Sequence, residues 1–243
     1  MRECLFCDNT ANTKEHLWPQ WILDRLRLSR VVGFIGANKL SADNPKLQSR
    51  CVCGRCNNGW MSQLESANIP LVGGLMRDIA TPLNNLQQFT MAGWAIKTAM
   101  VFESLTRVRH CHYTRDERHE LRSFLRPPPT TIVWLGRFSG RGNIGCTSHT
   151  VSYAVADDGV ANGYACTILI GRLLLQVFSL HFSVNREEED FHVPVKNGIW
   201  DRLLVQISPC VNYSVLWPPE GSIPNIPEFA YRFALGSENP YPR

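Results

Sequence analysis

Apolar side chains recur with helical spacing in the middle of the chain. Residues 88–106 are apolar on nearly every side, which predicts a helix buried at the centre of the fold. Further along, Thr114 and Glu117 have the spacing of a capping box, so another helix is expected to begin there. The proline run at 127–129 is expected to end that helix.

Shorter helices are expected nearer the N-terminus. Pro19 suits the first turn of a helix whose apolar positions recur at helical spacing. A second short helix is expected to follow Cys56. It is expected to end near Ala67, because the residue before Pro70 is disfavoured in the helical conformation.

From residue 130 onward the pattern changes to strands. Runs rich in Val, Ile, Leu, Thr and aromatic residues are separated by turn residues such as Gly140 and Gly171. They predict an antiparallel sheet packed on the central helix, and therefore an α+β fold. The change of pattern near residues 66–72 predicts two units, at 1–68 and 69–243. The predicted strands occupy residues 130–138, 147–156, 164–170, 173–184, 200–208 and 211–217.

The composition is that of a folded protein, because 44% of the residues are hydrophobic and only 19% are charged. A formal net charge of +4 permits nucleic-acid binding without requiring it. Charges and thiols near the start of the chain, where a secretory signal would be apolar, favour a reducing compartment. The most apolar run, residues 164–182, is interrupted by Gly171 and Arg172 and is expected to form two strands. A cytoplasmic protein without a membrane segment is therefore expected.

Two cysteine pairs carry the clearest chemical signal in the chain. Cys4 and Cys7 form one pair and Cys53 and Cys56 the other, each with two residues between its members. Two thiolates at that spacing can occupy two corners of one tetrahedron, so the two pairs predict a closed, structural Zn²⁺ site. Cys51 lies two residues before Cys53 and is an alternative ligand.

The remaining cysteines and the histidines around residue 110 give weaker signals. His110, Cys111, His112 and His119 lie close together in the sequence, but no spaced cysteine partner follows, so a second metal site is not expected. The last three cysteines fall in apolar, strand-like runs and are expected to be buried thiols. They are Cys146, Cys166 and Cys210.

An acidic residue and a histidine lie between the two cysteine pairs. Glu15 precedes His16, and Asn57 follows the second pair directly. This order resembles the HNH, or ββα-metal, endonuclease family, and the strings EHLWPQW and CNNGWMSQLE are also similar to bacterial proteins of that family. The resemblance implies that zinc pins a β-hairpin to a helix, that His16 activates water, and that Glu15 and Asn57 hold one Mg²⁺ or Mn²⁺ ion against the scissile phosphate. Asn58 is the alternative to Asn57 as a ligand, because a one-residue shift in the turn would exchange their positions.

One position departs from the pattern of that family. The asparagine that orients the catalytic histidine there usually precedes the second cysteine pair by about five residues. Gln48 occupies that position here, and Asn44 is the nearest asparagine. This departure leaves open how the divalent metal ion is coordinated.

The same residue types suit phosphodiester hydrolysis on chemical grounds. The reaction needs an activated water and a cation on the phosphate oxygens. A neutral imidazole is suited to taking the proton from water. A carboxylate and an amide oxygen, together with phosphate and water, are ligands that Mg²⁺ prefers.

Several basic residues near this region are candidates for contact with nucleic-acid phosphates. Three follow or lie in the first predicted helix, where the alternative is a solvated surface partly balanced by Asp24. The candidates are Arg25, Arg27, Arg30, Lys46, Arg50 and Arg55. DNA is the expected partner, and RNA is an alternative.

Three classes of function remain open. The first is the metal-dependent nuclease, the second a non-catalytic zinc module that binds nucleic acid, and the third a zinc-stabilised scaffold or sensor. Glu15 and Asn57 favour the first class, because a zinc ribbon alone has no need of them. No motif specifies the role of residues 69–243, for which substrate recognition, regulation, and docking of a protein partner or a second copy are all open.

Overall fold

The computed structural model describes residues 2–26, 31–35, 38–42, 48–105, 111–155, 159–183 and 198–233. It contains both helices and largely antiparallel sheets, which confirms the α+β class. The helices are α1 (Gln20–Leu26), α2 (Gly54–Cys56), α3 (Ser62–Leu75), α4 (Asn85–Leu105), α5 (Arg115–Phe124) and α6 (Ile226–Ala230), with a π-helical stretch at Asn57–Met61 and a 3-10 turn at Trp200–Leu203. The strands are β1 (Thr13–His16), β2 (Val31–Ile35), β3 (Asn38–Ala42), β4 (Gln48–Val52), β5 (Thr81–Asn84), β6 (Thr131–Arg137), β7 (Ile144–Val155), β8 (Gly159–Ile170), β9 (Leu173–Phe182), β10 (Leu204–Ser208) and β11 (Ser214–Trp217).

The largest sheet has the strand order β10-β6-β9-β8-β7-β2-β3. Strands β7, β8 and β9 form an antiparallel meander, and Gly171, with a φ of +59°, occupies the turn between β8 and β9. Strand β2 pairs with β7 in parallel, with Ile35 opposite Cys146. The β2–β3 hairpin, whose residues precede the second cysteine pair, therefore extends the sheet built by the C-terminal part of the chain.

Helix α4 is the central helix, as the sequence predicts. Its residues from Met91 to Ser104 are all buried. The helix contacts β4, β5, β6, β9 and β10. A helix enclosed in this way needs apolar side chains on every side, which explains the absence of an amphipathic pattern.

Helix α3 does not end near Ala67, so that prediction is wrong. It continues through Pro70 to Leu75. Pro70 is exposed, and it removes only the hydrogen bond to the carbonyl of Ser66, which also lies at an exposed position. The added turns bury three apolar residues against the core, which offsets that loss. They are Leu71, Val72 and Leu75.

The predicted division at residue 68 falls inside α3. One hydrophobic cluster contains residues from both sides of it, from Cys4 and Phe6 to Val215 and Trp217. The two-unit organisation, 1–68 and 69–243, stays a prediction.

No helix within the described ranges is long and apolar enough to cross a membrane.

Candidate metal centre and adjoining cleft

The four cysteines of the two pairs form one buried cluster. The Sγ atoms of Cys4, Cys7, Cys53 and Cys56 all lie within 4.8 Å of one another. The Cys7 Sγ is 3.6 Å from that of Cys53 and 3.5 Å from that of Cys56. A tetrahedral ion with metal–sulfur bonds of about 2.3 Å has an edge of about 3.8 Å between sulfurs. The cluster therefore has the size to hold a metal such as zinc.

Backbone amides point at the sulfurs of this cluster. The amide of Cys53 donates to Cys4 Sγ at 3.2 Å, and that of Cys56 donates to Cys53 Sγ at 3.4 Å. Burial raises the pKa of Cys53, but hydrogen bonds from Cys56 and the neighbouring thiols outweigh it and bring that pKa to about 6. Burial raises the pKa of Cys4 and of Cys56. Hydrogen bonds of this kind favour the thiolate form, which is the form that binds a metal ion.

Cys51 is buried outside the cluster, although it is only two residues from Cys53. Burial raises its pKa, and hydrogen bonds with Ser104 and Ser49 act in the opposite direction. Of the two candidate ligands, Cys53 is the one that lies with the other three sulfurs.

A two-stranded hairpin and a helical run flank the cluster. Strands β1 and β4 are antiparallel, and His16 lies opposite Gln48. The helical run begins after Cys53 with α2 and kinks at Gly59 before it continues as α3. Asn57 connects the helical run to the hairpin, because its Nδ2 donates to the hydroxyl of Thr13 at 3.2 Å and to the carbonyl of Lys14 at 3.1 Å.

The hairpin and the helical run enclose a cleft of about 200 Å³. Its lining includes all four residues singled out as catalytic candidates, Glu15, His16, Asn57 and Asn58. The rest of the lining is Pro19, Gln20, Met61, Ser62, Glu65 and Ser66. The side-chain amide of Gln48 contacts His16 Nε2, so the residue at the departing position touches the imidazole.

Glu15 is paired with a lysine that the sequence did not single out. Its Oε1 lies 3.1 Å from Nζ of Lys97, on the central helix α4. Both residues are buried, with 7% and 1% of their surfaces exposed. Lys97 is a charged residue inside an otherwise apolar run, and that contrast was the available sequence signal.

Glu65 is a second cleft residue that the sequence analysis missed. The indole Nε1 of Trp21 donates to its Oε1 at 2.9 Å. Burial raises the pKa of Glu65, the charge of Lys97 opposes this increase, and the charge of Glu15 adds to it. The sequence did not indicate this position, because a π-helical stretch with a kink at Gly59 lies between Asn57 and Glu65.

Of the six residues predicted to contact nucleic acid, the structure describes three. Arg25 packs over the ring of Trp21, with its guanidinium carbon 5.3 Å from the ring centroid, and donates to the carbonyl of Ile69 at 3.1 Å. Arg50 and Arg55 are exposed. Arg27, Arg30 and Lys46 lie outside the described residues.

The other histidines and cysteines have separate surroundings. His112 stacks on His181 with ring centroids 4.2 Å apart, and His119 Nε2 lies 3.7 Å from Asp8. His110 lies outside the described ranges. Cys146 and Cys166 are buried with their sulfurs 3.7 Å apart on adjacent strands, as expected. Cys210 is exposed because it follows β10 at the surface, so the expectation that it is buried was wrong.

Comparisons with protein-family models, with curated proteins and with solved structures find no match for this chain.

Proposed function

We propose that this protein is a metal-dependent endonuclease of the HNH type that hydrolyses phosphodiester bonds of DNA. The observation that carries the proposal is the shared cleft: His16, Glu15 and Asn57 line it together, beside a four-cysteine cluster. A module whose only role is to hold zinc has no need of an imidazole and a carboxylate in one cleft.

His16 is the proposed general base. The side-chain amide nitrogen of Gln48 contacts His16 Nε2, and this contact fixes the ring. A histidine held in this way is suited to taking a proton from the attacking water. Gln48 thus serves in place of the asparagine that has this role in the family.

Glu15 and Asn57 are the proposed ligands of a Mg²⁺ or Mn²⁺ ion. The amide nitrogen of Asn57 donates to the hairpin, which leaves its oxygen for a cation. Lys97 contacts one oxygen of Glu15, and the second oxygen remains for the ion. When bound, such an ion neutralises developing charge on the phosphate oxygens.

The cysteine cluster is proposed to hold Zn²⁺ as a structural ion. Its first pair lies before β1 and its second pair lies at the start of α2. An ion between the pairs therefore fixes the hairpin, which carries His16, to the helical run, which carries Asn57. This is a structural role, because four protein ligands leave no position for substrate.

The test is cleavage by the zinc-loaded full chain and by its His16→Ala variant. Plasmid, branched and single-stranded DNA, and RNA, are offered with Mg²⁺, with Mn²⁺ and with neither. We expect metal-dependent cleavage that falls by about 100-fold or more in the variant, because general base catalysis contributes on that scale. Zinc content should not change.

His119→Ala is the matched control, since His119 lies outside the cleft and should leave the rate unchanged. Equal cleavage by the protein and by His16→Ala would remove His16 from the mechanism. Binding of nucleic acid without cleavage of any of these substrates would favour the non-catalytic zinc module instead.

A further inference from the structure

We propose that Glu65 is a further ligand of the divalent cation, bound directly through its carboxylate beside Glu15 and Asn57. This inference rests on the proposed nuclease function and deepens it, because it adds a residue to the reacting centre. The cation would then have three protein oxygen ligands, one from β1 and two from the helical run.

Glu65 is placed for this role by the helical run that carries Asn57. Residues spaced by four lie on the same face of an α-helix. Met61 and Glu65 have that spacing at the start of α3, and Asn57 lies in the π-helical stretch on the other side of the kink at Gly59. All three line the cleft. The carboxylate therefore faces the same space as His16 and Glu15.

The hydrogen bonding of Glu65 leaves one oxygen for an ion. The indole N–H of Trp21 donates a hydrogen bond to Oε1. This bond fixes the carboxylate, as partners of metal-binding carboxylates commonly do. Within the described part of the chain, no group donates a hydrogen bond to the other oxygen, Oε2.

The charges in the cleft point to a bound cation. Glu15 has an ammonium partner, since Lys97 Nζ is 3.1 Å from its Oε1. Among the described residues, no lysine, arginine or histidine forms an ion pair with Glu65. The two carboxylates and one ammonium leave one negative charge in excess. Lys97 is therefore shared, because its charge also acts on Glu65. A divalent ion bound by both carboxylates would balance the charge that one ammonium leaves.

The test is Mn²⁺ binding to the zinc-loaded full chain, followed by electron paramagnetic resonance. Glu65→Gln removes the charge, but its amide oxygen still accepts the Trp21 hydrogen bond. We expect the Kd for Mn²⁺ to rise by at least about 10-fold in this variant, because loss of even a residue that only supports a metal ligand costs about 10- to 100-fold. Glu15→Gln should give a similar rise, whereas Glu120→Gln, at an exposed helix position, should give none.

A second variant and a second readout guard against a folding defect. Glu65→Asp keeps the charge and retracts the carboxylate by one methylene, so its Kd should lie between those of the wild type and Glu65→Gln. Tb³⁺ is a luminescent probe for the same site. Trp21 is hydrogen-bonded to Glu65, so Trp21→Phe should lower the indole-sensitised Tb³⁺ emission.

The outcomes separate this inference from the proposed function. If the wild type binds Mn²⁺ and cleaves DNA, but Glu65→Gln and Glu65→Asp bind Mn²⁺ with the wild-type Kd, then Glu65 is not a ligand and the nuclease proposal stands. If the wild type neither binds Mn²⁺ nor cleaves any substrate, both proposals are overturned.

Discussion

Glu15 and Lys97 are separated by 82 positions in the chain, yet they form a buried ion pair at the edge of the cleft. Removing one partner of a buried ion pair is strongly destabilising, because the other partner is left as an uncompensated buried charge. Lys97 therefore supports the fold and the cleft together. It holds one oxygen of Glu15 in place.

Replacing Lys97 with Met should lower the free energy of unfolding by about 3–5 kcal/mol. The methionine fills a similar volume but leaves Glu15 as an unpaired charge. Urea unfolding of the zinc-loaded protein measures the change. Adding Glu15→Gln to the variant should recover part of the loss, because the unpaired charge is then removed.

Lys14→Met is the control for this experiment, since Lys14 is exposed on the same strand as Glu15 and should change the stability by less than about 0.5 kcal/mol. An equally small change for Lys97→Met would mean that the ion pair contributes nothing to the fold.

At the scale of single residues, local patterns were predictable and distant partners were not. The order of Glu15, His16 and Asn57 relative to the cysteines indicated a shared site through the family resemblance, although 41 positions separate His16 from Asn57. Lys97 was missed because its partner is chosen by tertiary packing. Glu65 was missed because the kink at Gly59 interrupts the regular helical spacing between it and Asn57.

At the scale of elements, the cysteine cluster connects the hairpin to the helical run. The loop that carries the first pair also contacts α5, since Arg118 Nε donates to the carbonyl of Leu5 at 2.9 Å and Arg115 pairs with Asp8. An ion in the cluster would thus hold three elements in one arrangement.

Cys53→Ser should release zinc and unfold the hairpin region, whereas Cys51→Ser should keep a full equivalent of zinc. Structural zinc sites contribute about 10–16 kcal/mol of apparent binding free energy at pH 7, so loss of one ligand is severe. Zinc content by mass spectrometry and amide hydrogen exchange of residues 2–26 check this prediction. Retention of zinc by Cys53→Ser would remove Cys53 from the ligand set.

Elements with a strong local signal were predicted well, and elements that depend on their surroundings were not. The capping box of α5 is present, with Thr114 Oγ1 accepting from the Glu117 amide at 3.2 Å. The end of α3 was predicted wrongly because burial of Leu75 outweighs one missing hydrogen bond at Pro70. The β2–β3 hairpin joins the main sheet through a parallel pairing with β7, which no local pattern specifies.

At the scale of the whole molecule, half-buried histidines make the stability depend on pH. Burial lowers the pKa of His149 to about 4, and its ring stacks on Tyr231 with centroids 4.7 Å apart. Burial also lowers the pKa of His112 to about 4. Both residues take up a proton near pH 6.5 when the chain unfolds, but only near pH 4 when it is folded.

The free energy of unfolding should therefore fall as the pH drops below about 6.5, because the unfolded chain binds more protons than the folded one. Each histidine should account for about 2 kcal/mol between pH 6.5 and pH 5. In His149→Phe the free energy of unfolding should fall less steeply with pH, because about one proton fewer is taken up on unfolding. Urea unfolding at several pH values measures this slope. An identical pH dependence in the wild type and the variant would contradict the assignment of His149 as a half-buried neutral group.

The position of Lys97 on α4 limits how this protein can be divided or recombined. A hybrid that carried residues 1–68 onto another scaffold would bring the hairpin, the cysteines and Glu15, but not the ammonium group that neutralises Glu15. The transplanted fragment would need a new cation at that point in its host. Shuffling of the N-terminal segment between proteins is therefore constrained by a single lysine that lies outside it.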